Sequence, residues 1–169
     1  SGMISRGTKD NAPIEGDMAA QTRTVMANAG ELLKAAGFAF SDVVASRVYI
    51  TDGTQFQEMN GAYRESFPKD PPARATVVTG LPGAPYQVEI TLTAVKGPKQ
   101  AITTPAADGT PGKPSPVLSS AIKVGNRLYV SGILGNTVDN KGNVEAQTKA
   151  GVFTPSAPVP GLPAPTGTS

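Results

Sequence analysis

Two segments near the start of the chain carry apolar residues three and four positions apart, which is the spacing of one helix face. The first covers residues 17–36 and begins with Asp17, a residue type that caps helix N-termini. The second begins at Thr54, which together with Gln57 has the pattern of a capping box, and it ends before Pro68. We therefore predict two amphipathic helices.

Three further segments are rich in β-branched and aromatic residues, and each predicts a strand. They cover residues 42–50, 73–79 and 86–95. In the last of them apolar and polar residues alternate, so one strand face is apolar and Glu89 stands on the polar face. Strands mixed with two helices predict an α+β domain in which the helices pack on one face of a mixed sheet.

The composition changes after this domain, which we place at residues 1–96. Residues 97–113 are rich in Gly, Pro and Thr and predict a linker. Order returns with a predicted hairpin, in which a Gly-Asn turn separates strands 119–124 and 127–133. Residues 150–169 are rich in Pro and poor in large apolar residues, so we expect a disordered tail.

Two short motifs occur twice. The sequence "SGMI" at 1–4 returns as "SGIL" at 131–134, and "AAQTR" at 19–23 returns as "EAQTK" at 145–149. The pattern indicates two tandem copies cut short at both ends.

On this interpretation the domain at 1–96 lacks its first strand, and residues 114–149 are the front part of a second copy. An unpaired sheet edge favours pairing with another strand. We therefore expect hairpin 119–133 to complete the first sheet, in the same chain or in a neighbouring one.

The composition excludes several classes of function. Among the 169 residues there is no Cys and no His, which excludes disulfides, thiol nucleophiles, Ser-His-Asp triads and His-ligated metal sites. The net charge is only +2, without a basic run, so nucleic-acid binding has no electrostatic support. No apolar stretch approaches the roughly 18 residues that a membrane span needs. Chemistry must come from charged, hydroxyl, amide or backbone groups.

The chain has few charged residues, and two of them are candidates for a functional pair. Arg74 and Glu89 lie on what we predict to be neighbouring strands. An arginine fork suits a planar carboxylate, and a carboxylate near a bound ligand can take a proton from water. The alternative is an ordinary cross-strand ion pair, which contributes little when it is exposed. Both interpretations stay open at this point.

Several segments resemble the RidA/YjgF family of reactive-intermediate (enamine/imine) deaminases. The similarity covers roughly residues 1–96 and 114–149. Its most specific part is the stretch from "PPARATVV" to "VEITLTAV", and the other matching segments are "IKVGNRLYVSG", "LLKAAGFAFSDVVASRVYITD" and "FQEMNGAYRESFP".

The resemblance implies a chorismate-mutase-like α+β fold, assembly as a homotrimer, and ligand clefts between subunits. It also implies hydrolysis of 2-imino acids to 2-keto acids and ammonia, without a cofactor or a metal. The expected ligand is a small 2-imino or 2-keto acid. The expected location is cytoplasmic, with no nucleic-acid or membrane partner.

The family's functional positions fall on particular residues of this chain. The carboxylate-binding arginine corresponds to Arg74, and the water-activating glutamate corresponds to Glu89. The expected substrate-binding residues are Asn60, Thr76 and Ser131, and the counterpart of Ser131 in the first copy is Ser1.

One departure from the family pattern favours a different function. Leu118 stands where many members have a tyrosine that reaches the ligand. An alternative interpretation is therefore that the chain is a non-catalytic module with a degenerate site. Such a module binds a small metabolite or takes part in the assembly of a larger complex. A third interpretation is a fragment whose site is incomplete.

Overall fold

The computed structural model describes residues 1–83, 85–105, 109–135 and 139–153. The described chain divides into two compact parts. One comprises residues 1–103 and 114–132, and the other comprises residues 104–113 and those from 133 onward. Each is treated separately below.

The first helix, α1, is Met18–Ala35. Asp17 caps it, since its Oδ1 accepts a hydrogen bond of 2.7 Å from the backbone N–H of Ala20. The helix ends where Gly37 adopts a φ of 76°, a left-handed conformation that glycine tolerates. The predicted helix and its N-cap are confirmed.

The second helix, α2, is Phe56–Tyr63, and it begins differently from the prediction. Asp52, rather than Thr54, caps this region by accepting a bond of 2.8 Å from the Thr54 N–H. The predicted capping box does not form, because the Thr54 N–H is bonded to Asp52 and the Gln57 side chain accepts a bond from Asn60 instead. A short 3-10 helix, Gly53–Gln55, then leads into α2.

The first sheet contains β1 (Val43–Ile50), β2 (Ala73–Val78) and β3 (Val88–Ala94) in the order β2-β1-β3. β2 runs parallel to β1, and β3 runs antiparallel to it. α1 and α2 pack on one face, where their buried residues join those of β1 and β3 in one core. Its members include Met18, Val25, Val48, Ile50, Met59, Tyr63, Val88 and Ile90.

This order corrects one prediction about the candidate site. β2 and β3, which carry Arg74 and Glu89, are not neighbours, because β1 lies between them. The spacing along the sequence is compatible with a hairpin. However, the parallel pairing of β2 with β1 leaves the opposite edge of β1 for β3.

The second sheet is antiparallel and has the order β4-β5-β6. Its strands are β4 (Lys99–Ile102), β5 (Ala121–Val124) and β6 (Arg127–Val130). β4 lies inside the segment that we predicted as a linker, so the prediction is wrong for these four residues.

The second sheet packs on the face of the first sheet that the helices leave free. A second core joins Val44 and Ala73 of the first sheet to Ile122 and Val124 of β5. The hairpin thus differs from the predicted strand addition, because its first strand, β5, pairs with β4 and the hairpin covers a face of the first sheet. Its ends nevertheless bond to the chain beside β2, through Ser119 and through the residues that follow β6.

In the second compact part, residues Val144–Phe153 form helix α3. Asn143 caps it by accepting a bond of 2.9 Å from the Ala146 N–H. The predicted disordered tail at 150–169 is therefore wrong for its first four residues, and its remainder, 154–169, lies outside the described residues. Within the described ranges, no helix is both long and apolar enough to cross a membrane.

Candidate active site

Arg74 lies in the interface between β2 and α2. It is directly opposite Ser46 in the parallel ladder, on the sheet face that the helices cover. Only 4% of the residue is exposed. Its guanidinium carbon lies 4.9 Å from the ring centre of Tyr63 and 5.7 Å from that of Phe56. Both distances are within the range of cation–π attraction, so two aromatic rings of α2 support this charge.

Tyr63 is itself fixed by a buried hydrogen bond. Its hydroxyl lies 2.7 Å from the Ser46 hydroxyl, on the strand next to β2. Burial raises the pKa of Tyr63 to about 12, against opposing effects of the Ser46 bond and the Arg74 charge. The phenol therefore stays neutral near neutral pH. Burial also lowers the pKa of Arg74, but an arginine keeps its proton in proteins.

Several buried polar atoms around Arg74 have no hydrogen-bond partner among the described residues. They are Nε and Nη1 of Arg74, Oγ1 of Thr76 and Oδ1 of Asn60. Thr76 shares the strand face of Arg74 because it lies two residues further along β2. Asn60 lies on α2 between the two aromatic residues that contact the guanidinium, and it is 7% exposed. Buried polar groups are normally bonded, so this group of donors and acceptors can receive a polar ligand.

The backbone of Arg74 is held by the segment that follows β6. The Arg74 N–H donates a bond of 2.8 Å to the Ser131 hydroxyl, which itself donates to the Ser119 carbonyl at 2.6 Å. The Gly132 N–H donates to the Arg74 carbonyl at 3.0 Å. Ser131 thus lies beside Arg74 and contacts its main chain.

Glu89 lies elsewhere. In the β1–β3 ladder it pairs with Tyr49, whereas Leu92 pairs with Ser46, the residue opposite Arg74. Because faces alternate along a strand, Glu89 and Arg74 point to opposite sides of the sheet. The structure therefore brings together Arg74, Thr76, Asn60 and Ser131 of the predicted site residues, and it separates Glu89 from them. Within the described residues no ion pair joins Arg74 to a carboxylate.

The Glu89 carboxylate lies against the N-terminal segment. Met3 pairs with Ile90 on the outer edge of β3 through two backbone bonds of 2.9 Å. A Cβ atom built at Gly2 would overlap the Glu89 carboxylate, so only a glycine allows this close approach. Gly2 corresponds to Gly132 in the repeated motif. One copy of the motif therefore lies at Glu89, and the other lies at Arg74.

Sequence reasoning missed two parts of this arrangement. It did not connect Tyr63 with Arg74, and it did not consider Ser46. The spacing of Phe56, Asn60 and Tyr63 on one helix face is a signal that could have suggested a shared site.

The arrangement is suited to binding a small carboxylate. An arginine fork binds a carboxylate through two parallel hydrogen bonds, and the amide and hydroxyl nearby can orient the rest of a ligand. In the part of the chain that the structure describes, no group of three acidic side chains is placed to hold a metal ion.

The chain is similar in sequence to known proteins. The family described as Endoribonuclease L-PSP matches residues 1–96. A RutC family protein of Sulfurisphaera tokodaii is 38% identical over 97 residues, which cover 57% of this chain and 78% of that protein. The human 2-iminobutanoate/2-iminopropanoate deaminase is 34% identical over 99 residues, which cover 58% of this chain and 72% of the relative.

A solved structure matches at the level of the fold. The crystal structure of RidA from the Antarctic bacterium Psychrobacter sp. superposes with a TM-score of 0.51 at 29% identity. The superposition covers 54% of this chain and 74% of the other. The match supports the α+β architecture described above.

Proposed function

Because the chain belongs to the endoribonuclease L-PSP family, which is also known as RidA/YjgF or RutC, we propose that it hydrolyses small 2-imino acids, or their enamine forms, to 2-keto acids and ammonia. The human relative is named for this reaction and is 34% identical to the chain. The proposed ligands are small 2-imino acids as substrates and 2-keto acids as products.

One observation carries this proposal. Arg74 is buried on two aromatic rings while Nε and Nη1 of its guanidinium lack partners. Leaving charged donors buried and unbonded costs free energy, which a bound carboxylate would recover. Asn60 and Thr76 present further unpaired atoms on the same side. We assign Arg74 to carboxylate binding and the other two to orientation of the ligand.

The proposed chemical step needs only water and a base. Glu89 accepts a proton from a water molecule while the water oxygen attacks the carbon of the C=N bond. The nitrogen of the resulting tetrahedral intermediate takes up the two protons of the water molecule, one by way of Glu89 and one from the new hydroxyl group. The C=O bond forms as the C–N bond breaks, and the nitrogen leaves as ammonia. Arg74 neutralises the carboxylate and holds the electrophilic carbon in place.

Because Arg74 and Glu89 point to opposite sides of one sheet, we propose that they act together only across two copies of the domain. The repeated motif supports this assembly: its first copy lies against Glu89, and its second copy, with Ser131 and Gly132, lies against Arg74. If the second motif, next to Arg74, is continued by a complete second copy of the domain, that copy would place its own glutamate next to its motif and therefore near Arg74. A trimer, or tandem copies in one chain, would supply this arrangement.

A second candidate function is binding without turnover. It is favoured by Leu118, which stands at the position of a ligand-contacting tyrosine, and by the separation of the proposed base from Arg74 within one chain. Such a protein would bind a 2-keto acid at Arg74 but would not accelerate hydrolysis.

A coupled assay tests the two functions. An amino-acid oxidase generates the 2-imino acid in situ, and its decay is followed with wild type, Arg74→Ala and Glu89→Gln. Arg64→Ala is the matched control, because Arg64 is an exposed arginine just after α2. Binding of 2-ketobutyrate is measured in parallel by calorimetry.

The deaminase proposal predicts faster decay with wild type and Arg64→Ala, no acceleration with Arg74→Ala, and a strong loss with Glu89→Gln. A folded wild type that binds 2-ketobutyrate without accelerating decay supports the binding module instead, and Leu118→Tyr is then the next variant. If the wild type neither binds nor accelerates, both functions are wrong for this chain.

A further inference from the structure

A second polar cavity lies on the opposite side of the first sheet, between the two sheets. Its volume is about 220 Å³. β1 and β3 form one wall, and Tyr129 of β6 forms the other. The lining residues are Ala45, Ser46, Arg47, Thr91, Thr93 and Tyr129. None of these residues belongs to the site at Arg74 except Ser46, whose side chain points to the helices.

The strand register places the polar side chains around a small residue. Arg47 pairs directly with Thr91, and Ala45 pairs with Thr93. All four side chains point to the same side, since paired residues of neighbouring strands share a sheet face. Ala45 contributes only a methyl group to this face. The cavity is thus built on rigid strands rather than on loops.

The charged group of this cavity has no protein partner. Arg47 and Thr93 are exposed, and Thr91 and Tyr129 are half-buried. Throughout the described ranges, no protein group forms an ion pair or a hydrogen bond with the side chains of these four residues, so they are open to a ligand from solution. The lining contains no carboxylate. The cavity therefore offers one cation, the Arg47 guanidinium, and three hydroxyl groups that can donate hydrogen bonds.

The carboxylate of β3 is that of Glu89, which is diagonal to Arg47 across the β1–β3 ladder. Its carboxylate lies against Gly2 on the outer edge of β3, whereas Arg47 lies on the inner side of that strand. Glu89 therefore does not occupy the position of an anion at Arg47.

We propose that this cavity binds a small oxyanion, with Arg47 supplying the charge and Thr91, Thr93 and Tyr129 supplying hydrogen bonds. A guanidinium presents a fork of donors that matches the oxygens of a phosphate or a carboxylate. The volume admits one such group. The proposal does not depend on the deaminase function, because Arg74 lies on the opposite side of the sheet and Glu89, which shares the sheet face of Arg47, is not among the lining residues.

A titration of ¹⁵N-labelled full chain followed by NMR tests the proposal. Inorganic phosphate and 2-ketobutyrate are added separately, which distinguishes a phosphate from a carboxylate as the bound group. The variants are Arg47→Gln and Thr91→Val, with Arg64→Gln as the matched control and Arg74→Ala to isolate the other site. Circular dichroism verifies that each variant is folded.

We expect saturable shifts at Arg47, Thr91 and Thr93 with at least one of the two anions. The affinity that is read from the shifts at these cavity residues should fall by about tenfold or more in Arg47→Gln and by less in Thr91→Val, and it should be unchanged in Arg64→Gln and Arg74→Ala. Absence of such shifts with both anions, or equal affinity in wild type and Arg47→Gln, would overturn the proposal. Loss of binding in Arg74→Ala alone would assign the anion to the other site and overturn it too.

Discussion

Arg74 and Glu89 project from opposite faces of the same sheet, with β1 between their strands. The two residues therefore cannot hold one small ligand between them within a single domain. Arg74 instead lies among α2 side chains and next to Ser131, while Glu89 lies next to Gly2. Arg74 and Glu89 can act on one ligand only if a second copy of the domain is present. This requirement distinguishes the proposed site from an ordinary cross-strand ion pair.

The aromatic support of Arg74 predicts a change in substrate affinity. Tyr63→Leu removes the ring that lies 4.9 Å from the guanidinium, so KM for the 2-imino acid should rise by about tenfold with a smaller change in kcat. Tyr63→Phe keeps the ring and should restore most of the affinity, although the Ser46 hydroxyl loses its partner. Steady-state kinetics of both variants are the measurement. An unchanged KM in Tyr63→Leu would contradict the supporting role.

The bond between Ser131 and the Arg74 backbone predicts a loss of stability on its removal. Ser131→Ala leaves a part-buried N–H unpaired, which should lower the free energy of unfolding by about 1–3 kcal/mol in urea. Ser41→Ala is the control, because Ser41 is exposed, and its effect should stay within about 0.5 kcal/mol. Equal effects of the two substitutions would mean that the hairpin end does not stabilise β2.

The second core predicts that the hairpin is part of the folding unit. Ile122 is fully buried against Val44 and Ala73, so Ile122→Ala should destabilise the chain by about 2–5 kcal/mol. Leu128 lies on the same hairpin but is 57% exposed, and Leu128→Ala should have little effect. Thermal unfolding of both variants compares them. A small effect of Ile122→Ala would show that the two sheets are not packed as described.

The ion pair between Asp42 and Lys96 predicts how the free energy of unfolding changes at low pH. The Lys96 ammonium, 2.6 Å away, together with the Ala39 N–H, lowers the pKa of Asp42 below its ordinary value of 3.8. A depressed carboxyl pKa contributes stability that is fully present above the unfolded-state value and is lost as the pH falls through the folded-state value. Asp42→Asn should therefore flatten the acid end of the stability profile. The same acid slope in both proteins would contradict this assignment.

Much of the helix and strand pattern could be predicted from local sequence. The periodicity of α1 and the alternation in β3 depend on neighbouring residues only, which is why both predictions are confirmed. β4 was missed because its four residues sit in a Gly- and Pro-rich stretch and become a strand only by pairing with β5, some twenty residues away. Long-range pairing of this kind leaves no local signal.

The candidate site likewise has parts that follow from local sequence and parts that depend on long-range pairing. Arg74 and Thr76 share a face because they are two residues apart on one strand, and this follows from the sequence. The position of Glu89 depends on which strand lies between β2 and β3 and on the register of both ladders, which spacing does not reveal. The contact of Tyr63 with Ser46 and Arg74 likewise arises from tertiary packing.

The most direct test of the account mixes two inactive chains. Arg74→Ala and Glu89→Gln are each purified, assayed alone, then unfolded together, refolded and assayed for 2-imino acid hydrolysis. If Arg74 of one copy works with Glu89 of another, the mixture contains some sites with both residues intact, and it should regain a substantial part of wild-type activity. If the mixture stays as inactive as its components although both variants fold and associate, the proposed site between copies is wrong.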